Sequence, residues 1–568
     1  MKLFDIKNVK CGLLAACSLA LVTPFTSCDD MLDTDSDFVM YEEDNTLNHA
    51  TDSVYSVLGI INKMQAIADR TVLLGEVRAD LMTPTDAASA DLKRLAAWDF
   101  SVDNKYNAVS DYYAVINHCN YFINHVDTTL ARRGYKIFAN EYAAVKAFRA
   151  WTYLELAKAY GNVPFVTTPL MTEIEAREAM NGPRASLKEI CEYFITDLTP
   201  YAYRKEPSWG TINGMASRNF FIPMRALLGD LCLWADRYQD AATWYHDYLT
   251  DIDRPIHQTY KSRGEWTSEE FRSLSAVVSS GGNLSYIPME VREFDGVISE
   301  LEDIFSSTED NYYYFQMTPS NAMRKISGDQ IYCMEYKTST TTDTLYAPRE
   351  GLSDPLFLGD LRFRANYSHN SYSADDEYSQ YSSDRQTILK MSVDNGITTY
   401  RQNIVYLRYA EALNRCGYPQ SAMVILKHGI CHDHLVAYVD SVELKAAGTL
   451  VEFDPNVFLR ENATGIHSYG SGDSHCNEYY VLPMPEDSLA TRQDTINYQI
   501  PLVEDLIVTE MALEGSFEGY RLYDLMRVAM RRGDNAYLAD PISMRDGEQD
   551  AALRAKLMDQ QNWYLPLP

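Results

Sequence analysis

The side chains best suited to hold a ligand in this sequence are aromatic rings with polar or charged neighbours. The candidates are Arg78, Asp80, Trp98, Trp209, Tyr312, Tyr313 and Tyr314. An aromatic face stacks on the C–H face of a sugar or on a peptide side chain, while carboxylate and guanidinium groups orient hydroxyls and backbone groups. Any single one of these rings could equally belong to a core. The three tyrosines are the stronger candidate because they stand together in a polar stretch.

The sequence contains no P-loop, HExxH, GxSxG or dinucleotide-binding motif. His428 and His432 are spaced to share one helix face, but no third metal ligand is specified. We interpret them as residues of a helix end, and we expect neither a metal nor a cofactor. The glycine-rich stretch from Gly465 to Asp473 lacks the following helix that a phosphate cradle requires. It predicts a turn near a ligand face or a partner contact.

The first 27 residues have the features of a secretory signal. Lysines precede an apolar stretch, and small residues stand just before Cys28. A cysteine at this position is typical of a bacterial lipoprotein, in which the thiol is acylated after cleavage. We therefore predict a signal peptide at 1–27, lipidation of Cys28, and an acidic tether at 28–47. The protein would be held to a membrane by this anchor, since two or more acyl chains anchor stably.

Two alternatives to lipidation at Cys28 stay open. Cys17 has a favourable local sequence, but cleavage there would leave an apolar core shorter than the usual ~7–15 residues. A plain signal peptide would instead leave Cys28 as a free thiol. No later segment is long enough and free enough of charge to predict a transmembrane helix.

The composition is strongly acidic, with 50 Lys and Arg against 80 Asp and Glu and a formal net charge of −30. Such a surface repels phosphate backbones, so we exclude nucleic acid as a partner. Of the ten cysteines, Cys11 and Cys17 belong to the predicted leader and Cys28 to the anchor. The others have no CxxC spacing and predict no disulfide framework. The 41 tyrosines favour recognition of ligands that are part apolar and part polar.

The clearest helical period lies at residues 141–160. Small apolar residues recur there at intervals of three and four, which lets a neighbouring helix approach closely. Gly161 and Pro164 predict the end of this helix. Ser186 and Glu189 have the spacing of a capping box ahead of another helix.

Two stretches match the tetratricopeptide template of paired helices. The first has Gly229 on one helix and Ala241 and Tyr245 on the next, and the second lies at residues 406–426. Such a pair cannot bury its apolar face alone, so neighbouring pairs must stack. We predict a mainly α fold, an α-superhelix of tetratricopeptide-like helix pairs with long irregular loop insertions and minor β structure.

The insertions are rich in Ser, Thr, Asp, Gly and Tyr, with short strand-like runs such as residues 330–336. Loops on a rigid frame are where binding sites usually lie. We predict one body at 48–568, with helical parts at about 48–250, 400–440 and 503–535 and loop-rich parts at about 251–399 and 441–502.

Several stretches together resemble the SusD/RagB family of nutrient-binding outer-membrane lipoproteins. They lie at residues 27–33, 147–153 with 160–164, 407–414, and 512–527, and the closing Trp-Tyr-Leu-Pro-Leu-Pro at 563–568 is also similar. Each piece is weak alone, but their order spans the whole chain after the leader. We expect the closing tail to pack back on the body.

The resemblance implies a mainly helical fold on four tetratricopeptide-like units, with loops that form a shallow ligand surface. It also implies a lid role over a SusC-like TonB-dependent barrel transporter, an outer-membrane location facing the cell exterior, and no catalysis. We interpret the motif residues Arg149, Glu411, Glu518 and Arg521 as partners in buried ion pairs between stacked helices.

The function expected from these features is capture of an oligosaccharide at the cell surface and its delivery to the transporter. An oligopeptide receptor of the same family is an alternative, because tyrosine-rich sites serve both ligands. A surface glycoside hydrolase is an alternative of another class, since it needs only a suitably spaced carboxylate pair, but no motif supports it. A helical assembly scaffold without a saturable ligand is the third possibility.

Overall fold

The helix signals of the sequence correspond to helices in the computed structural model. The helix predicted at 141–160 runs from Ala139 to Tyr160, and Gly161 follows it with a φ of 73°. The capping box is also confirmed. The Ser186 N–H donates to Glu189 Oε2 at 2.8 Å, and the Glu189 N–H donates to Ser186 Oγ at 3.3 Å. These contacts satisfy N–H groups that a helix start otherwise leaves unpaired.

The structure describes residues 50–212, 214–259, 263–266, 274–277, 282–290, 296–305, 315–337, 339–347, 359–362, 367–368, 387–388, 396–486 and 491–567. Cys28 and the predicted leader and tether lie outside these residues, as do Tyr312, Tyr313 and Tyr314. Residues 48–568 form one compact unit.

The described helices are, in chain order, α1 Ala50–Glu76, α2 Ala90–Ala96, α3 Val109–His125, α4 Ala139–Tyr160, α5 Glu173–Met180, α6 Leu187–Leu198, α7 Met224–Trp234, α8 Tyr238–Leu249, α9 Leu301–Phe305, α10 Asn321–Gly328, α11 Gln402–Arg415, α12 Pro419–Lys427, α13 His432–Tyr438, α14 Ser441–Ala447, α15 Ser468–Ser471, α16 Arg492–Glu514, α17 Arg521–Arg532, α18 Ala536–Ser543 and α19 Ala551–Leu557. None of the helices in this part of the chain is both long and apolar enough to cross a membrane.

The described strands are short and join as antiparallel pairs. The pairs are β1 Met82–Pro84 with β11 Met317–Pro319, β2 Ala131–Arg132 with β3 Tyr135–Lys136, β4 Val163–Pro164 with β5 Arg184–Ala185, β6 Thr211–Ile212 with β7 Met215–Ala216, β8 Arg263–Trp266 with β9 Leu274–Val277, β10 Asn283–Pro288 with β16 Gly396–Arg401, β12 Tyr332–Lys337 with β13 Thr342–Ala347, and β14 Tyr367–Ser368 with β15 Thr387–Ile388. The run predicted at 330–336 is therefore a strand, and the fold is mainly α with minor β, as predicted.

Consecutive scaffold helices pack against each other to form a continuous stack. The contacts run from α3 to α4, α4 to α6, α6 to α7, α7 to α8, α8 to α11, α11 to α12 and α11 to α16. The pair α7 and α8 is the first tetratricopeptide match. A Cβ at Gly229 would lie 2.4 Å from the ring of Tyr245, so the glycine permits the close helix approach that the template requires.

Buried ion pairs hold this stack together, as the motif residues predict. Arg149 Nη2 lies 3.1 Å from Asp197 Oδ2. Glu411 accepts hydrogen bonds from Arg527 Nε at 2.9 Å and Nη2 at 2.6 Å. These pairs join helices that are distant in sequence. Removing one partner would leave the other buried without its counter-charge.

Three glutamates at i+4 steps fasten an insertion to the scaffold. Arg362 Nη2 lies 2.7 Å from Glu510 Oε2, and its Nη1 lies 3.2 Å from Glu514 Oε2. Arg401 Nη2 lies 2.9 Å from Glu518 Oε1, which confirms the pairing predicted for Glu518. Burial alone would raise the pKa of Glu510, but the charges of Arg362 and His467 and their hydrogen bonds together outweigh it and lower that pKa to about 2.

The closing tail packs back on the body, as predicted. Trp563 is fully buried, and its indole N–H donates to the Leu557 carbonyl at 2.8 Å. The Leu565 N–H donates to the Ala159 carbonyl at 2.9 Å, next to the end of α4. The tail is therefore tied to two helices far apart in sequence.

The segment predicted as loop-rich at 441–502 contains more helix than expected. It includes α14, and α16 begins at Arg492 instead of near 503. Thr491 caps α16 by accepting the Asp494 N–H at 3.2 Å. Pro501 inside α16 and the polar residues before it obscured the helical period, since a proline normally argues against a helix interior.

Candidate functional site

Arg78 and Trp98, two of the predicted ligand contacts, lie in the core. Both side chains are 0% exposed. The guanidinium of Arg78 donates to the Trp563 carbonyl at 3.1 Å and to the Tyr523 hydroxyl at 3.2 Å. The Trp98 indole N–H donates to the Arg78 carbonyl at 2.9 Å. In this structure both residues join the early part of the chain to its end.

Asp80 has the same structural role. Its side chain is 1% exposed and accepts two hydrogen bonds from Arg521, at 2.7 and 2.8 Å. Arg521 thereby has the buried partner that the sequence predicts for it. The sequence predicts Arg78, Asp80 and Trp98 as ligand contacts, but the structure places all three in the core. The reason is that the closing tail and α17 cover this stretch, a contact between the two ends of the chain that local sequence does not reveal.

Trp209 is half-buried on another part of the scaffold. Its ring meets Phe221 edge-on with centroids 5.3 Å apart, and its backbone N–H donates to Ser217 Oγ at 2.8 Å. Its side chain is also hydrogen-bonded to Glu141, whose pKa is raised by burial. Trp209 does not line the cleft described below.

The tyrosines 312–314 precede a strand that is paired with the early segment. Strand β11, just after them, pairs with β1, which follows Asp80 closely. The Thr85 N–H donates to the Gln316 carbonyl at 2.9 Å, and the Ser89 N–H donates to Gln316 Oε1 at 2.9 Å. The fold thus brings the early segment beside the chain that follows the tyrosine cluster.

A cleft of about 850 Å³ opens between the closing tail and the end of α4. This volume lies in the range of small-molecule sites. Its lining combines aromatic rings with side-chain amides and a few charged groups: Trp98, Asp99, Phe100, Tyr160, Gly161, Asn162, Arg184, Ser186, Leu187, Lys188, Met530, Lys556, Gln560, Gln561, Asn562, Tyr564, Leu565, Pro566 and Leu567. We call this the tail cleft. Of the predicted ligand contacts, Trp98 is the one that borders it.

The tail cleft has a rigid wall. Gly161 takes a positive φ, and a Cβ there would lie 3.0 Å from the ring of Tyr564, so the ring can pack directly on the backbone. Asn107 donates to the Pro566 carbonyl at 3.2 Å, and Trp563 anchors the tail in the core. The backbone of the tail and the Tyr564 ring are therefore held in place before a ligand arrives.

The charge of the tail cleft is opposite to that of the protein as a whole. Its lining includes three cations, Arg184, Lys188 and Lys556, and one carboxylate, Asp99. Asp99 Oδ2 in turn lies 3.7 Å from Arg94 Nε. A cleft with a cationic lining in a chain of net charge −30 favours anionic groups on a ligand.

A smaller pocket of about 410 Å³ adjoins the tail cleft and shares Arg184 and Leu567 with it. Apolar side chains such as Leu170 and Met180 line most of this pocket. The Tyr113 hydroxyl at its wall donates to the Pro164 carbonyl at 2.7 Å and so contributes mainly its ring.

The sequence did not predict the tail cleft as a binding site. The sequence predicted that the tail packs on the body, but it did not predict that the Gln-Gln-Asn-Trp-Tyr run of the tail forms one wall of a cleft. The local signal that could have indicated a binding site is the run of three side-chain amides followed by two aromatic rings at residues 560–564.

The glycine-rich stretch near Gly465, predicted as a turn near a ligand face or a partner contact, is buried. A Cβ at Gly470 would lie 2.0 Å from Asp360 Oδ1, and Ser471 Oγ donates to Asp360 Oδ2 at 2.8 Å. Its glycines serve close packing against the segment that carries Arg362.

The histidines near the end of α12 make structural contacts. His428 stacks on Tyr438 with centroids 3.7 Å apart, and His434 Nδ1 lies 2.8 Å from the Gly429 carbonyl oxygen. Across the described ranges, no three His, Cys, Asp or Glu side chains are grouped so as to hold a metal ion.

No protein-family model and no curated protein matches this chain, but solved structures share its architecture. A SusD superfamily protein from Bacteroides vulgatus is 13% identical, with a TM-score of 0.55 over 90% of this chain and 92% of its own. A SusD homolog from Bacteroides thetaiotaomicron is 15% identical, with a TM-score of 0.53 over 91% and 94%. A SusD-like carbohydrate binding protein from Bacteroides fragilis is 16% identical, with a TM-score of 0.51 over 85% and 87%.

These similarities extend over most of this chain and most of the length of each solved chain. The agreement is one of architecture, because at such low identity few side chains are shared. The chain has the fold of the SusD superfamily.

Proposed function

We propose that the chain is a receptor that binds an oligosaccharide in the tail cleft. The observation that carries this proposal is that aromatic rings and side-chain amides line one cleft together. Among the solved structures with this fold is one described as a carbohydrate binding protein. The fold and the lining chemistry therefore support the same class of ligand.

The lining residues match the two surfaces of a sugar. Phe100 and Tyr564 offer rings for the C–H face, while Gln561 and Asn562 offer both donors and acceptors for hydroxyl groups. The Tyr564 phenol is protonated at neutral pH and can donate a hydrogen bond, and burial raises its pKa further. Because the tail is already fixed by Trp563, little ordering accompanies binding.

The lining of the tail cleft supports binding of a saccharide without its hydrolysis. A glycoside hydrolase places two carboxyl groups about 5–9.5 Å apart across the scissile bond. Of the described residues that line the tail cleft, Asp99 alone carries a carboxylate. We therefore propose a receptor and keep the hydrolase as the alternative that the experiment tests.

The experiment is calorimetric titration of the purified protein with oligosaccharides chosen from a glycan array. Phe100→Ala and Tyr564→Ala should each weaken binding about threefold to tenfold, because each removes one stacking face. Tyr135→Ala is the matched control, since Tyr135 is 81% exposed and does not line the cleft. Equal effects at all three positions would contradict the site.

The same samples separate the alternatives. Release of new reducing ends from the bound oligosaccharide would identify a hydrolase. Saturable binding of oligopeptides, with loss on Tyr564→Ala and no glycan binding, would identify the peptide receptor. A scaffold would bind neither class of ligand.

We further propose that the protein is anchored by acyl chains on Cys28 at the outer surface of an outer membrane, where it passes its ligand to a SusC-like TonB-dependent barrel. The leader and its cysteine support this proposal. Labelling with an alkyne fatty acid should mark the wild type and Cys17→Ala but not Cys28→Ala. Affinity purification of the wild type should recover a barrel protein, and labelling of all three forms would contradict the anchor site.

A further inference from the structure

Two cysteines far apart in the sequence have their sulfur atoms in contact. Cys333 lies in β12 and Cys476 in the 3₁₀ turn Ser474–Cys476, and their Sγ atoms are 3.3 Å apart. A disulfide bond has an S–S distance of about 2.05 Å. The two sulfur atoms are thus so close that a small side-chain rotation would bring them to bonding distance.

The backbone on both sides holds the two thiols in this position. Gly472 and Cys333 form an isolated parallel β-bridge, and the Asp473 N–H donates to the Cys333 carbonyl at 2.7 Å. On the other side, Asn477 Nδ2 donates to the Ile331 carbonyl at 2.9 Å. The contact therefore belongs to a built junction between two segments, in which both chains are fixed beside the sulfur atoms.

We propose that Cys333 and Cys476 form a disulfide bond in the mature protein. The bond would join positions 143 residues apart and fasten the β12–β13 hairpin to the segment that follows α15. An exported chain meets an oxidising compartment, where such bonds persist. The proposal rests on the export proposed above only for its setting, and the test below does not depend on export.

The oxidant is a disulfide, either of a thiol oxidoreductase or of a small molecule. The Cys476 thiolate attacks one sulfur of that disulfide, and the first thiolate of the oxidant leaves. The Cys333 thiolate then attacks Cys476 Sγ in the mixed disulfide, and the second thiolate leaves. The protein loses two protons and two electrons, and the oxidant is reduced to two thiols.

The order of attack follows from exposure. Cys476 is half-buried and can reach an oxidant, whereas Cys333 is fully buried behind it. Burial raises the pKa of both thiols, so few thiolates are present at neutral pH. The bond should therefore form faster as the pH rises, because the thiolate is the attacking species.

The bond would also fix an aromatic pair, Tyr346 and Tyr479, of which Tyr346 is half-buried. Tyr346 of β13 meets Tyr479 edge-on with centroids 5.1 Å apart, and Tyr479 is 66% exposed. Both tyrosines stand beside the two cysteines in the fold. The crosslink would thus hold this outer edge of an insertion against the body.

The test uses the purified full chain, reduced and then exposed to oxidised glutathione before alkylation under denaturing conditions. Mass spectrometry should find one crosslinked peptide pair containing residues 333 and 476, lighter by two hydrogens, and none after renewed reduction. Cys416→Ser, at a half-buried cysteine outside the pair, should still yield the crosslink. Cys333→Ser and Cys476→Ser should each abolish it.

A second measurement tests whether a folding defect in these variants, and not the loss of the thiol, explains a missing crosslink. In the wild type, oxidation should raise the melting temperature, and in either serine variant it should leave that temperature unchanged. Full alkylation of both cysteines in the oxidised wild type, or a crosslink between other cysteines in its place, would overturn the proposal.

Discussion

The carboxylate of Asp80 and the guanidinium of Arg521 face each other in two parallel hydrogen bonds of 2.7 and 2.8 Å, although 441 residues separate them in the sequence. Both side chains are buried. This paired geometry makes the contact between the early segment and α17 specific, because a planar guanidinium matches a carboxylate in two places at once. It also explains why Asp80 is part of the framework and does not face a ligand.

Asp80→Ala should lower the free energy of unfolding by about 3–5 kcal/mol, because Arg521 would stay buried without its counter-charge. Urea denaturation measures this loss. Asp86→Ala, at an exposed carboxylate nearby, should change the free energy by less than about 0.5 kcal/mol. Unchanged stability of Asp80→Ala, together with lost saccharide binding, would instead assign Asp80 to the ligand.

Two glycines of α1 should respond in opposite ways to the same substitution. A Cβ at Gly75 would lie 1.8 Å from the Gly519 carbonyl oxygen, whereas a Cβ at Gly59 would meet nothing within 4 Å. Gly75→Ala should therefore cost several kcal/mol or prevent folding. Gly59→Ala should stabilise the protein by up to about 1 kcal/mol, the difference in helix propensity. Thermal unfolding followed by circular dichroism compares the two, and similar melting temperatures would contradict the close contact.

The cationic lining of the tail cleft predicts a preference for anionic saccharides. Arg184→Ala should weaken binding of a uronate-containing oligosaccharide about fivefold, or ~1 kcal/mol, as expected for a solvent-exposed charge pair. Binding of a matched neutral oligosaccharide should change little. Raising the salt concentration should reduce the difference, since exposed charges are screened. Titration calorimetry at two salt concentrations checks this, and a stronger effect on the neutral ligand would contradict it.

His428 should make the protein less stable in acid. Burial lowers its pKa to about 3, below the value of about 6.5 that it has when unfolded. The unfolded chain thus binds the proton more readily, so this contribution to stability is fully present above pH 6.5 and is lost as the pH falls towards 3. Allowing for partial solvent access, the loss should be about 1–2 kcal/mol.

His428→Phe tests this effect, since phenylalanine can keep the stack on Tyr438 but cannot take up a proton. Stability measured by urea denaturation at intervals from pH 7 to pH 4 should fall less steeply in the variant. His118→Phe is the control, because His118 is exposed on α3. Parallel pH profiles for the wild type and His428→Phe would contradict the assignment.

The predictions that succeeded rest on contacts close in sequence. The capping box at Ser186, the helix that ends before Gly161, and the helix pair that meets at Gly229 each depend on residues within one or two turns or one helical hairpin. The sequence also predicted that Arg149 and Glu411 would each take part in a buried ion pair, but it did not identify their partners, Asp197 and Arg527.

The sequence by itself determined the acidic surface, the helical period, the helix ends and the stacking of helix pairs, because these follow from composition and from neighbours a few residues apart. Only the tertiary structure decided that Trp98 and Trp563 belong to one buried cluster, and that Gly161, Arg184 and Tyr564 meet around one cleft. The reason is physical. Burial of a side chain depends on which distant segment packs over it, and here that segment is the chain end, 485 residues after Arg78.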